Sequence, residues 1–68
     1  MQKQPRQFKT MKIRLLGGKD CRIEKAQVAD VQEQYTLGGG IDVVLIMKSG
    51  WQYVVDMKKE ELLIKIKN

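Results

Sequence analysis

Few residues in this chain carry reactive side chains. Among its 68 residues there is no His, one Cys (Cys21) and one Ser (Ser49). Without His, neither a Ser–His nor a Cys–His nucleophile pair can form. Ser49 falls in Lys48-Ser49-Gly50, where a hydroxyl commonly serves a local turn bond. Cys21 falls in an alternating stretch and reads as a small buried hydrophobe rather than a reactive thiol. A lone Cys without His makes neither an intrachain disulfide nor a structural zinc site. Asp20, Asp30, Asp42 and Asp56 lack calcium-loop spacing. Gly38-Gly39-Gly40 lacks the spacing of a phosphate loop or a dinucleotide fingerprint, and no clear helix follows it. The expectation is a protein without catalysis, metal or cofactor.

Two binding chemistries stay open. The net charge is +5, and Lys3, Arg6 and Lys9 supply three positives in a tail without acids. Lys12, Arg14, Lys19 and Arg22 could form a basic stripe for phosphates, with Trp51 or Tyr53 stacking on a base. Glu24, Asp20 and Asp30 interrupt that stripe. The rival chemistry is apolar, and it depends on how the strands are placed.

The densest apolar run is Ile41–Met57, IDVVLIMKSGWQYVVDM, which reads as a hairpin. A two-residue Ser49-Gly50 loop would spread apolar side chains over both faces. A three-residue loop pairs Met47 with Trp51 and places Gly50 in the left-handed conformation. It puts Val43, Leu45, Met47, Trp51, Tyr53 and Val55 on one face, and Val44, Ile46, Gln52 and Val54 on the other. The three-residue loop is preferred for its continuous apolar face. It also sets Asp42 opposite Asp56, which costs a few tenths to ~1 kcal/mol.

The remaining elements follow from pattern. Residues 1–10 read as a disordered basic tail, and 11–68 as one small domain. Met11, Ile13 and Leu15 alternate with charged or exposed positions, as do Cys21 and Ile23. With a tight turn at Gly17-Gly18 they make a first hairpin. Residues 25–37 fit a turn over Lys25–Gln27 and a strand to about Thr36, with a helix as the competing assignment. A closing helix over Met57–Lys67 is predicted, capped by Asp56, with Leu62, Leu63 and Ile66 on its apolar face and Ile64 off it. A strand through Leu62, Ile64 and Ile66 is the alternative.

The predicted architecture is mainly β: a small antiparallel meander or SH3-like, partly open barrel of 4–5 strands with a C-terminal helix. One short helix covers one sheet face only. Val44, Ile46 and Val54 are then expected to be exposed, together with Ile64, as a protein interface. A homo-oligomer, most simply a dimer, would bury them, and another protein target is the other possible occupant. Nucleic acid is the alternative partner. No apolar stretch reaches the ~20 residues of a membrane span, and a cytoplasmic location is the default expectation.

Residues 11–66 resemble the small FlbD-type proteins found among flagellar and swarming genes. The matching residues are Leu16-Gly17-Gly18-Lys19, then Val28 and Val31, Asp42–Gly50, Tyr53-Val54-Val55, and Glu60-Glu61-Leu62-Leu63. The chain departs from that pattern in its longer Tyr35–Gly40 stretch, in Trp51 and in its basic tail. The resemblance implies a cytoplasmic accessory protein of the same outline, without known catalysis.

Overall fold

The computed structural model describes residues 9–68. Of the tail expected over residues 1–10, residues 1–8 lie outside the described residues. Lys9 and Thr10 do not behave as a tail. The Lys9 carbonyl accepts from the Lys25 amide at 2.9 Å, and Thr10 pairs with Glu24.

The fold is mainly β, with five antiparallel strands and one C-terminal helix. The strands are β1 (Thr10–Arg14), β2 (Asp20–Glu24), β3 (Val28–Tyr35), β4 (Ile41–Met47) and β5 (Gln52–Val55). A single 3-10 turn, Lys25–Gln27, joins β2 to β3. This matches the turn-then-strand expectation for residues 25–37. The helix, α1, spans Lys59–Lys67.

Hydrogen bonding makes two sheets, β1–β2 and β3–β4–β5. They meet where β1 runs on past Arg14. Leu15 bridges Val55, the Leu16 amide donates to the Val54 carbonyl at 3.0 Å, and the Asp56 amide donates to the Arg14 carbonyl at 2.7 Å. The strand order is therefore β2-β1-β5-β4-β3. Among the described residues no ladder joins β2 to β3, so the barrel stays open.

The three hairpins turn in the same way. In each, a three-residue loop ends on a glycine of positive φ. The loops are Leu16-Gly17-Gly18, Leu37-Gly38-Gly39 and Lys48-Ser49-Gly50. The flanking bonds are alike too, as at Met47, whose amide donates to Trp51 and whose carbonyl accepts from Gly50. A residue with φ near +90° favours Gly, because any Cβ there is crowded by its own backbone.

The preferred register of the Ile41–Met57 hairpin is the observed one: Val43 faces Val55 and Leu45 faces Tyr53. The first turn differs from a two-residue Gly17-Gly18 link. That link would pair Ile13 with Arg22, whereas the longer loop pairs Ile13 with Cys21 and Met11 with Ile23. Face matching of the apolar residues outweighs the tightest turn. The Tyr35–Gly40 connection is likewise shorter than a long loop, because Thr36 and Gly40 pair directly.

The core gathers Met11, Ile13, Ile23, Val31, Val43, Leu45, Val55 and Leu62. It combines the inward faces of the three hairpins with one helix residue. Leu62 is fully buried, and Ile66 packs beside it.

The cap of α1 is not Asp56. The helix starts after Lys58, two residues beyond Asp56, which leaves the Asp56 carboxylate outside the capping position. The Lys58 side chain offers no acceptor. Instead the Glu61 carboxylate reaches back and accepts from the Lys58 amide at 3.2 Å. The Lys65 ammonium donates to the Lys12 carbonyl at 3.1 Å, on the edge of β1 that β5 has left.

Candidate functional site

The expected interface residues do not form one exposed surface. Val44 is buried, at 2% exposure, whereas its cross-strand partner Val54 is 38% exposed. Val44 occupies the central strand of the three-stranded sheet, flanked directly by Gln32 and Val54. Those neighbours and the residues diagonal to them shield its small side chain. Ile46, on the same face, is half-buried. Ile64 is exposed as expected, but on α1, whose Leu62 enters the opposite side of the sheet. The outer face therefore offers Val54 and part of Ile46, and Ile64 belongs to another surface.

A larger apolar surface lies at the β3–β4 turn. Tyr35 and Ile41 are direct cross-strand partners. Alternation places them on the same face as Val31 and Val43, so they continue the core face beyond the core. Tyr35 is 85% exposed, Leu37 is fully exposed and Ile41 is largely so. Leu16 is exposed too. Leu16 and Ile41, with Val43, Val55 and Met57, line a hollow of ≈ 490 Å³ beside the start of α1. Five carboxylates line the same hollow, from Glu33, Asp42, Asp56, Glu60 and Glu61, against two ammonium groups, Lys58 and Lys59. That local excess is negative in a chain of net charge +5. The sequence signal for this surface was Tyr35, Leu37 and Ile41 bracketing three glycines; read as a loop, it carried no weight.

Three of the four hairpin cations, Lys12, Arg14 and Arg22, share one face. Lys12 lies directly opposite Arg22, and Arg14 opposite Asp20, on the outward side of the first hairpin. Lys19 pairs with Leu15 beside the turn, on the other, inward-facing side. The charges are partly engaged. Lys12 forms an exposed ion pair with Asp20 at 3.8 Å, and Arg22 donates to the Thr10 hydroxyl at 3.2 Å. Trp51 does not join them. It pairs with Met47 on the inward-facing side of its hairpin, where it meets Tyr53 edge to face at 6.3 Å. It is 64% exposed, because the apolar face there outruns the core.

Two titrating groups are displaced. Burial, with a smaller push from the adjacent Cys21 thiol, raises the Tyr53 phenol above its ordinary value. Cys21 itself is free and half-buried against the core. Asp30 is held below its ordinary value, chiefly by the Gln32 amide at 3.1 Å and then by the Val31 amide at 2.8 Å. Both arrangements are local to the sheet. Among the described residues, no group of three or more His, Cys, Asp or Glu side chains is placed to hold a metal ion. Nor is any helix there long and apolar enough to cross a membrane.

Comparison of the chain with protein-family models, with curated proteins and with solved structures gave no match.

Proposed function

We propose that this protein is a non-catalytic, self-associating binding module, an accessory or regulatory part of a larger assembly. The observation that carries the reading is the outward run of the core face at Tyr35, Leu37 and Ile41. Apolar surface removed from water returns ~25 cal/mol per Å². A hairpin end already paired through Tyr35–Ile41 and Thr36–Gly40 supplies that surface with little backbone left to order. A second copy is the simplest cover, because a two-fold pairing sets the same patch against itself. The resemblance to FlbD-type proteins supports the same class of role and no more.

Light scattering at low and high salt tests this. The expected result is a dimer that persists at high salt and becomes monomeric on Tyr35→Asp with Leu37→Asp, while circular dichroism stays unchanged. A wild-type monomer at high concentration would overturn the reading.

A second reading rests on the outward face of the first hairpin. Lys12, Arg14 and Arg22 lie together there, with Lys19 at the adjoining turn, and offer a short track for phosphates. Binding to single-stranded nucleic acid that weakens steeply with salt and is lost on Arg14→Glu with Arg22→Glu would favour it.

A further inference from the structure

The hollow beside α1 has an apolar floor, an acidic lining and an open mouth. Its occupant should be basic with one apolar anchor. The chain itself contains such a segment: Lys3, Arg6 and Lys9, without an acid, around a single apolar aromatic, Phe8. We infer that the hollow of one copy receives the N-terminal segment of a second copy, Phe8 against Leu16 and Ile41, and Lys3 and Arg6 against the carboxylates. This rests on the self-association proposed above and adds to it a second contact, beside the patch at Tyr35 and Leu37.

Exchange between copies follows from reach. Lys9 is tied by its carbonyl to Lys25, and Thr10 is paired with Glu24. From Thr10, β1 runs six residues to Leu16, about 20 Å at the usual rise of a strand. Phe8 is only two residues from Thr10, about 7 Å of chain. A copy's own Phe8 therefore cannot reach its own Leu16 while β1 stays paired. A second copy has no such tether. Exchange in both directions closes a two-fold dimer and leaves no open acceptor.

The charges make a specific test possible. In one variant Lys3→Glu and Arg6→Glu reverse the segment. In another Glu33→Lys and Glu60→Lys reverse the exposed lining, leaving the capping Glu61 intact. Self-association is followed by sedimentation equilibrium at low and high salt. Each variant alone should associate roughly tenfold or more weakly than wild type at low salt. The segment variant should also lose the salt dependence of wild type. Mixed one to one, the two variants should form a heterodimer near wild-type strength, because each segment then meets a lining of opposite sign. Phe8→Ala should weaken association at both salt levels, as loss of an apolar anchor would. A wild-type dimer that ignores both reversals, or a mixture that fails to recover, overturns the inference while self-association stands. A wild-type monomer removes both.

Discussion

The Asp56 amide donates to the Arg14 carbonyl at 2.7 Å, on the edge of β5 turned away from β4. With the Leu16 amide on the Val54 carbonyl it joins the first hairpin to the last. The β4–β5 ladder ends at Val43 and Val55, one pair short of Asp42 and Asp56. The helix begins only after Lys58.

Leu62 is the one helix residue wholly inside the core. Leu62→Ala should cost ~2–5 kcal/mol, since the sheet around it cannot collapse into the space. Urea unfolding measures it. A loss well under 1 kcal/mol would mean that α1 does not dock as described.

Val44→Lys should destabilise the fold by ~1–2 kcal/mol, because the longer side chain must break through the shield of its flanking neighbours to bring its ammonium to water. Val54→Lys, across the ladder on an exposed site, should stay within ~0.5–1 kcal/mol. Thermal melts of both proteins distinguish the two residues. Equal effects would contradict the difference in burial.

Gly50→Ala tests the turn. The added Cβ meets nothing within 4 Å, so the cost is conformational, at φ +96°. A loss of ~1–2 kcal/mol is expected. Ser49→Ala should cost less, since the hydroxyl only accepts the Trp51 amide at 3.3 Å on the exposed turn.

Tyr53 should give the fold an alkaline limit. Its phenol is raised, so the fold favours the neutral form. The stability this supplies is complete below the ordinary phenol value and is lost as pH rises through the raised value. Urea midpoints followed from neutral into alkaline pH should fall more steeply for wild type than for Tyr53→Phe. Parallel curves would remove Tyr53 as the cause.

The strands were readable because period-two patterns reported the inward face of β1, β2, β4 and β5 directly. The three-residue turn at Lys48–Gly50 was readable from the same constraint, since one register alone joined six apolar residues. The first turn was harder. Gly17-Gly18 looks sufficient by itself, and only the pairing of Ile13 with Cys21 draws Leu16 into the loop. Burial on the outer face was not readable at Val44, because flanking side chains, rather than another layer of the fold, shield it. The helix cap failed for a different reason. Asp56 is a good capping residue, but its bond to Arg14, far away in the chain, keeps it with the sheet, two residues before the cap at Lys58. The apolar end at Tyr35, Leu37 and Ile41 lay inside a stretch dominated by glycine, where side-chain pattern is weakest.

The joint between the sheets also sets a clock. Each hairpin links residues close in sequence, whereas Leu15 and Val55 must find each other across most of the chain. Local hairpins form in microseconds, but a distant pair must first meet the entropy of closing the loop between them. Refolding should therefore wait on that encounter, with the three hairpins already in place. Weakening a turn by Gly50→Ala would then slow refolding, while Leu62→Ala, in a helix that docks afterwards, would chiefly hasten unfolding. The same few bonds that hold the halves together would thus govern how long the chain spends with its apolar faces uncovered.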